Sequence, residues 1–356
     1  MRKVAIVRRF YGVDGGAQKA VERMLLALGD SDYQVTLVCE SAPDSWTGPV
    51  LQIHTRGSRT ARLRGFVEKA QALLAEHQFD LVQSHEWVPG ADIYRLGDGL
   101  HSEWLERLQA SSTTRLHRVA EWLRSKDSFH RLVCRLEREC VTGRASTKFI
   151  CNSQLISNSL RARYPSVQAG QVFIVRNVCP WISRRLDSKS SRPVIGFAGS
   201  GWRRKGLMLV IEALVELPNY RLVIVGKDKQ HAIYRRRVAE LGLSERVDFM
   251  GVVEDMRVFY SKISVLVHPA LYDPFPNVTM EAIGLGIPCV VSKFTGTADF
   301  AECSFVAVSG LDPQLLAMAV RQLVVDYEQR SADAIDFASQ YDSDYLCGAL
   351  AAVYTN

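Results

Sequence analysis

No uninterrupted apolar run of about 20 residues, the length that a membrane-spanning helix requires, occurs in the sequence. The apolar start of the chain is broken by Arg8 and Arg9, and no small-residue cleavage pattern follows, which argues against a secretory signal peptide. The eight cysteines include no C-x-x-C pair, so neither a zinc site nor a disulfide framework is predicted. Together these absences predict a cytoplasmic protein with buried free thiols.

Positive charge is concentrated in the first half of the chain. Residues 1–180 carry 25 Lys and Arg against 18 Asp and Glu, whereas residues 181–356 carry 19 against 20. A basic first half favours an anionic partner, which could be a phosphate-bearing glycan, an acidic lipid surface or a nucleic acid. The sequence has no helix-turn-helix, aromatic RNA-binding or zinc pattern, so we predict no nucleic-acid partner.

Short apolar, β-branched runs alternate with helical patterns along both halves of the chain, which predicts βαβ units and parallel sheets. The alternation stops over 176–193, a segment with two prolines and a Ser/Lys/Arg cluster that is typical of a linker. We therefore predict an α/β protein with two doubly wound domains, 1–180 and 181–340, and a helix over 341–356 as a candidate to cross back to the first domain. The predicted strands are 4–7, 35–38, 81–83, 149–151 and 172–175, then 194–197, 221–225, 247–250, 265–268 and 289–291.

Residues 102–148 are basic and helical in pattern. One apolar stripe runs along their second part: Phe129, Leu132, Val133, Leu136 and Cys140. The periodicity favours a pair of packed helices with a solvated basic face. The alternative is a segment that lies on an anionic membrane surface.

The segment 268–288, HPALYDPFPNVTMEAIGLGIP, directly follows a predicted strand. Asp273 and Glu281 are eight residues apart in it, across a proline-stiffened loop and a helix predicted to begin near Asn277. Free N–H groups of a helix start at the carboxyl end of a parallel strand suit an anionic diphosphate, and carboxylates suit the sugar hydroxyls on either side of it. The alternative is a helix cap with a surface carboxylate.

The segment 199–206, GSGWRRKG, follows the predicted strand 194–197. Its glycines free the backbone, and Arg204 and Lys205 place two cations beside the same sheet edge. Two cations there can neutralise a departing diphosphate. The alternative is a solvated basic turn.

Two loops of the first half are further candidates. In 11–18, YGVDGGAQ, Gly15 and Gly16 permit positive φ and a close approach of backbone to a phosphate or sugar. In 84–101, SHEWVPGADIYRLGDGLH, Asp98 lies in a Gly-Asp-Gly turn that can expose its carboxylate. Either loop could equally be a structural turn.

The D-x7-E pair, with P-F-P-N inside it and E-A-I-G-L-G-I-P after it, resembles the acidic motif of the retaining glycosyltransferases of family 4, above all the branch that acts on the lipopolysaccharide core. The resemblance implies the GT-B fold, with an acceptor-side and a nucleotide-sugar-binding Rossmann-like domain facing a central cleft. It also implies retaining, metal-independent transfer of a hexose from a UDP-sugar to a glycan, with no cofactor besides that co-substrate. The expected acceptor is the lipopolysaccharide core.

The resemblance assigns the donor to the second half of the chain. Glu281 corresponds to the residue that holds the donor ribose. Asp273 and the backbone amides of Phe275, Asn277 and Val278 correspond to the groups that hold the transferred sugar, although most members of the family have Glu at the position of Asp273.

The remaining assignments concern the phosphates and the acceptor. Arg204 and Lys205 correspond to the pair that stabilises the diphosphate, and Gly15 and Gly16 to the loop that reaches the donor phosphates. Asp98 corresponds to a residue that orients or deprotonates the acceptor. His85 and His101 are the alternatives to Asp98.

Two other functions stay open from the sequence. One is a different GT-B chemistry, such as that of a sugar-nucleotide epimerase, which needs no acceptor, or a phosphorylase, which needs a pyridoxal-phosphate lysine. The other is a basic protein that binds peripherally to the inner face of the cytoplasmic membrane, a location that is also compatible with the transferase.

Overall fold

The computed structural model of the chain describes residues 1–11, 21–25, 28, 33–110, 127–183 and 192–355. Contacts divide the chain into two compact units. The first unit combines Met1–Arg176 with Ser343–Asn356, and the second is Asn177–Asp342.

The first unit contains a seven-stranded sheet in which every pair of neighbouring strands is parallel. The strand order is β3-β2-β1-β4-β5-β6-β7. In the central strand β1 the apolar run Val4–Val7 is buried, and all four residues of β4 are buried, as a parallel sheet covered by helices requires. The strands are β1 (Arg2–Val7), β2 (Tyr33–Cys39), β3 (Val50–Gln52), β4 (Leu81–Ser84), β5 (Ile93–Leu96), β6 (Lys148–Cys151) and β7 (Val172–Ile174).

Helices cover the first sheet. Residues 21–25 and 28 are helical, and the apolar residues Val21, Met24, Leu25 and Leu28 are buried at i, i+3, i+4 and i+7. The other helices of this unit are Arg59–His77, His101–Ala110, Ser128–Thr142, Gln154–Arg163 and Ser343–Thr355, with a 3-10 turn at Ala169–Gln171.

The helix Ser128–Thr142 turns its apolar stripe into the first unit. Phe129, Leu132, Leu136 and Cys140 are buried, and the Arg59 guanidinium lies 3.6 Å from the centroid of the Phe129 ring. The stripe therefore packs against protein, as the packed-helix interpretation predicts. Residues 111–126 of the same segment lie outside the described chain.

The C-terminal helix Ser343–Thr355 packs against the first sheet. Arg2 Nη1 donates a hydrogen bond to the Tyr354 carbonyl at 2.7 Å, and Lys148 Nζ donates one to the Val353 carbonyl at 2.8 Å. The helix also buries Leu346 and Leu350. The end of the chain is thereby part of the first unit.

The second unit contains a six-stranded parallel sheet in the order β10-β9-β8-β11-β12-β13. Its strands are β8 (Val194–Ala198), β9 (Arg221–Val225), β10 (Val247–Gly251), β11 (Val265–His268), β12 (Cys289–Ser292) and β13 (Val306–Ser309). Its helices are Trp202–Lys205, Leu207–Ala213, His231–Glu240, Met256–Tyr260, Asn277–Gly284, Pro313–Val324 and Tyr327–Ala338, with 3-10 turns at Leu214–Glu216, Ser244–Arg246 and Gly296–Phe300. The apolar residues Leu207, Val210, Ile211 and Leu214, which follow helical spacing, are buried.

Each sheet has one point where the strand order reverses direction. This switch point lies between β1 and β4 in the first sheet and between β8 and β11 in the second. Doubly wound sheets bind ligands outside the carboxyl ends of the strands at such a point. The predicted α/β class with two doubly wound sheets is confirmed. No helix in the described part of the chain is both long and apolar enough to span a bilayer.

Candidate active site

The loop that carries Arg204 and Lys205 follows β8. Side chains from the segment after β9 hold it in place. The Asp228 carboxylate accepts a hydrogen bond from the Trp202 backbone N–H at 2.8 Å, at the start of the helix Trp202–Lys205. Trp202 Nε1 donates to the Gly199 carbonyl at 2.9 Å, and its ring packs edge-on against Tyr234. These contacts orient the backbone from Gly199 to Lys205.

This loop is in backbone contact with the loop that follows β11. Leu271 N–H donates to the Arg204 carbonyl at 2.8 Å. Gly206 has a φ of +81°, and a Cβ at this position would overlap the Pro269 carbonyl oxygen. Only glycine tolerates both the positive φ and the close contact with Pro269. Gly206 therefore allows the loop after β8 to lie against the loop after β11.

Lys205 is a half-buried cation whose ammonium lies over Gly199. Within the described chain no carboxylate forms an ion pair with it. Burial lowers the pKa of Lys205, and the Asp273 carboxylate acts against that shift. A cation that is partly desolvated and lacks an ion pair is well placed to bind an anionic ligand.

We expect Gly199→Ala to displace Lys205 and to weaken binding of UDP by about tenfold, roughly the effect of losing one charge-assisted hydrogen bond. The new Cβ would overlap Lys205 Nζ, and the Gly199 φ of +124° disfavours any side chain. Isothermal titration calorimetry with UDP measures the change. The matched control is Gly201→Ala in the same loop, because its φ is also positive at +73° but its Cβ would meet nothing within 4 Å. Equal losses in both variants would contradict the role given to Lys205.

Asp273 lies in the loop after β11 and is held on three sides. His268 Nε2, at the end of β11, donates to Asp273 Oδ2 at 3.0 Å, and Arg204 Nη1 lies 3.6 Å from the same oxygen. The Asp273 backbone N–H donates to the Phe294 carbonyl at 3.0 Å. The carboxylate is therefore oriented by groups from two neighbouring strand ends.

The charges around Asp273 decide its protonation state. Burial alone would raise the pKa of Asp273, but the hydrogen bond from His268 and the positive charges of Lys205 and Arg204 outweigh it and hold the pKa well below the usual range. Burial lowers the pKa of His268, so a neutral imidazole donates the hydrogen bond. Asp273 is thus a carboxylate at neutral pH and can accept hydrogen bonds from ligand hydroxyls.

The helix Asn277–Gly284 begins where the sequence predicts. Pro276 at its N-cap has no side chain that could accept from the first turn. Asn177 Nδ2 donates to Asn277 Oδ1 at 2.7 Å, which fixes the Asn277 side chain within the second unit. The Phe275 ring is buried against Phe300, so only its backbone can contact a ligand. Val278 is the second residue of this first turn, where helices present N–H groups to anions.

Glu281 is almost buried on the same helix, with 6% of its surface exposed. Tyr260 donates a hydrogen bond from its hydroxyl to Glu281 Oε2 at 2.7 Å. Burial and the neighbouring Glu281 raise the pKa of Tyr260 well above its usual value, so the phenol stays a donor. Tyr260 therefore positions a carboxylate whose other oxygen can accept from a ligand.

The second unit brings together four of the predicted site residues: Arg204, Lys205, Asp273 and Glu281. The pKa of Lys205 responds to the charges of the other three, which places all four in one electrostatic cluster. Two cations and two carboxylates at a helix start suit an anion with hydroxyl groups on either side.

None of the predicted residues of the first half belongs to the second unit. Asp98 belongs to the first unit and is exposed in the turn after β5. Gly15 and Gly16 lie outside the described residues. His101 stacks on His130, with 2.9 Å between His101 Nε2 and His130 Nδ1, and burial lowers its pKa to about 4. The contacts of His101 are those of a packing residue.

Sequence reasoning missed the side chains that support the cluster. His268 could have been inferred, because it ends a predicted strand and precedes Asp273 by five residues. Tyr260, Asp228 and Asn177 come from other elements, and no local spacing in the sequence points to them.

Two family models match the chain. Residues 192–326 match the model described as glycosyl transferases group 1, and residues 14–179 match the model described as glycosyltransferase family 4. Between them they cover most of both units.

Named relatives agree with these matches. The lipopolysaccharide glucosyltransferase WaaG of Escherichia coli K12 is 24% identical over 343 residues, which cover 89% of this chain and 88% of that protein. The lipopolysaccharide core biosynthesis glycosyltransferase LpsE of Rhizobium meliloti is 30% identical over 150 residues, which cover 41% of this chain and 44% of that protein.

Solved structures share the fold. The crystal structure of WaaG superposes with a TM-score of 0.78 at 21% identity, covering 99% of this chain and 100% of that one. The structure of Anabaena HepE in complex with UDP-glucose superposes with a TM-score of 0.74 at 18% identity and covers 100% of both chains. With two Rossmann-like domains and a match to a glycosyltransferase family in each, the chain belongs to the GT-B glycosyltransferases of family 4 and group 1 type, and it is related to the transferases of the lipopolysaccharide core.

Proposed function

We propose that this glycosyltransferase moves a hexosyl group from a UDP-sugar to a hydroxyl of a lipopolysaccharide-core glycan, with retention of anomeric configuration. The observation that carries the proposal is the cluster at the switch point between β8 and β11. There, Lys205 has no ion-pair partner in the described chain, and it lies beside two oriented carboxylates and a helix start.

The cluster has a group for each part of a UDP-sugar. Lys205, Arg204 and the first turn of the helix Asn277–Gly284 suit the diphosphate. Glu281 suits the ribose hydroxyls, and Asp273 suits the hydroxyls of the sugar. HepE, whose fold this chain shares, was crystallised with UDP-glucose, which supports a UDP-sugar as the donor.

The reaction breaks the bond between the anomeric carbon and the diphosphate oxygen. Negative charge then develops on the diphosphate, where Lys205 and Arg204 stabilise it, and positive charge develops on the sugar, beside the Asp273 carboxylate. In this mechanism the acceptor hydroxyl attacks from the face that the diphosphate leaves, and its proton passes to the departing phosphate oxygen. That front-face substitution preserves the configuration at the anomeric carbon.

Other parts of the expected function stay predictions. Asp98 would orient the acceptor, and Gly15 and Gly16 would contact the donor phosphates. Transfer without a metal ion and attachment of the basic first half to an anionic membrane surface likewise stay predictions.

The purified protein, incubated with UDP-glucose and truncated lipopolysaccharide cores, tests the proposal directly. We expect one hexose to be added to the core, detected by mass spectrometry, with the anomeric configuration of the donor by NMR and with no loss of rate in EDTA. UDP-galactose serves as a parallel donor. Conversion of the UDP-sugar without any core would instead identify an epimerase and contradict the proposal.

A further inference from the structure

The first sheet has its own polar cluster at its switch point. Backbone contacts bring the ends of β1 and β4 together, because His85 N–H donates to the Val7 carbonyl at 2.9 Å. Glu86 Oε1 accepts from the Arg9 backbone N–H at 3.1 Å. Ser84 Oγ bonds to the Glu86 backbone carbonyl at 2.6 Å, which fixes the turn after β4. The side chains of His85 and Glu86 are therefore held at the carboxyl ends of the central strands.

Glu86 is a half-buried carboxyl group with spare hydrogen-bonding capacity. Its Oε1 has the Arg9 amide, whereas its Oε2 has no hydrogen-bond partner among the described residues. Burial raises the pKa of Glu86 and the nearby Asp98 raises it further, while the Arg9 amide and the Arg8 charge act in the opposite direction. Holding a carboxyl group away from water costs free energy. A half-buried carboxyl group whose second oxygen has no hydrogen-bond partner is typical of a ligand-binding position.

His85 is held in one tautomer by a chain of hydrogen bonds from the C-terminal helix. The Tyr354 hydroxyl donates to Gln83 Oε1 at 2.9 Å, which turns the Gln83 amide nitrogen toward His85 Nε2 at 3.1 Å. Gln83 is fully buried, so it cannot exchange these partners for water. His85 Nε2 must accept, and the imidazole proton resides on Nδ1.

The environment keeps His85 in this neutral form. Burial and the charges of Arg8 and Arg95 lower its pKa well below the usual value. No acceptor for the Nδ1 hydrogen is found within the described chain. The Nδ1 hydrogen of His85 is therefore a donor without a partner in the described chain, at the end of β4 and one residue before Glu86.

The Tyr11 hydroxyl is a third polar group of this cluster. The Tyr11 hydroxyl, at the end of the segment after β1, is buried and has no hydrogen-bond partner among the described residues. Its pKa is raised by burial and responds to Arg8 and Glu86, which places it in the same cluster. Buried polar atoms without partners are rare, and a ligand is a common reason for them.

We propose that this switch point binds the acceptor sugar, with Glu86 Oε2 accepting from one hydroxyl and His85 Nδ1–H donating to a neighbouring oxygen. Tyr354 acts as a positioning residue, because it sets the His85 tautomer through Gln83. Alternating acceptors and donors on rigid strand ends suit a hydroxyl-rich sugar. This inference rests on the proposed transferase function and adds residues that the acidic motif does not include.

Steady-state kinetics of Glu86→Gln and Tyr354→Phe test the inference, with a truncated lipopolysaccharide core as acceptor and UDP-glucose as donor. We expect Glu86→Gln to lower kcat/KM for the core by about 10- to 100-fold, mainly through KM, since one charge-assisted hydrogen bond is lost. Tyr354→Phe should lower it by about three- to tenfold. The Kd of UDP should stay within about twofold in both variants, and the exposed matched control Glu76→Gln should behave as the wild type.

Two readouts separate this role from a structural one. The wild-type kcat/KM for the core should rise with pH as Glu86 ionises, with a midpoint above the usual Glu value, and Glu86→Gln should lack this step. Arg8, Arg9, Asp98 and Tyr11 are the charged and titratable groups that act on Glu86, and the Arg9 amide contributes its N–H. In 15N NMR, His85 should carry its proton on Nδ1, and Tyr354→Phe should shift it toward a mixture of tautomers.

Several outcomes overturn the inference while leaving the transferase intact. In each of them the wild type still transfers the hexose. Either kcat/KM for the core is unchanged in both variants, or the affinity for UDP falls in parallel with it, or NMR finds the His85 proton on Nε2. Absence of transfer by the wild type would instead overturn the proposed function.

Discussion

Replacing Lys205 by Met should lower kcat by about a thousandfold, in the range found when one group that stabilises a developing anion is removed. Among the described residues, Lys205 has no ion-pair partner, whereas Arg204 lies 3.6 Å from the Asp273 carboxylate. The charge that develops on the departing diphosphate would lose one of the two cations that we propose neutralise it. Turnover of UDP-glucose and a truncated core measures the effect.

The same substitution should leave the fold intact. Burial lowers the pKa of Lys205, which means that the folded protein holds this charge at a cost. A methionine of similar length removes that cost, so the melting temperature should be unchanged or higher. Lys262→Met, at an exposed lysine of the same unit, is the control and should retain wild-type turnover. A stable Lys205→Met protein with near-normal turnover would refute the assignment.

Glu281→Ala should lower kcat/KM for the UDP-sugar by about 100- to 1000-fold, the loss expected when two charge-assisted hydrogen bonds disappear. The substitution removes the carboxylate that we propose binds the ribose, and it leaves the buried Tyr260 hydroxyl with the Val278 carbonyl, at 3.2 Å, as its remaining acceptor. The loss should lie mainly in the KM of the donor, because the ribose is bound equally before and during transfer.

Two further variants locate the origin of this loss. Tyr260→Phe keeps the carboxylate but removes its positioning bond, so its effect should be smaller and in the same direction. Glu245→Ala, at an exposed glutamate of the second unit, should have no effect. If Glu281→Ala changed the KM of the core and not that of the donor, Glu281 would not be a donor residue.

Most interior strands of the two sheets were predictable from sequence because they are rich in apolar residues. Three strands were missed, each for a physical reason. Val50–Gln52 is short and lies at an edge of the first sheet, Ile93–Leu96 contains Arg95, and Val306–Ser309 is a four-residue strand at an edge of the second sheet. The burial of Arg95 depends on neighbours distant in sequence, including Tyr354 and Tyr345, and no local pattern announces it.

The cluster of Arg204, Lys205, Asp273 and Glu281, here called the donor cluster, was largely predictable from the strand order of the second sheet. The loops 199–206 and 269–276 follow β8 and β11, and these strands are neighbours in a doubly wound sheet. Their residues had to meet at one edge once that sheet was inferred. The supporting groups were not predictable, because Tyr260 is 21 residues from Glu281 and Asp228 is 26 from Trp202.

The cluster of Glu86, His85 and Tyr11 at the first sheet was still less predictable from sequence. Asp98 was predicted from its Gly-Asp-Gly turn and from resemblance, with His85 as an alternative, whereas the properties of Glu86 and His85 depend on burial and on partners far along the chain. Tyr354 and Gln83 are 271 residues apart. Sequence spacing could not connect them.

The most direct test of the account is calorimetric binding of UDP and of uridine to the wild type and to the Lys205→Met and Glu281→Ala variants. If the diphosphate binds at Lys205 and the ribose at Glu281, Lys205→Met should weaken UDP by about 10- to 100-fold and leave uridine within about twofold. Glu281→Ala should weaken both ligands by the same factor. If Lys205→Met weakened the binding of UDP and of uridine equally, or weakened neither, the diphosphate would not bind at Lys205. Either result would contradict the central claim.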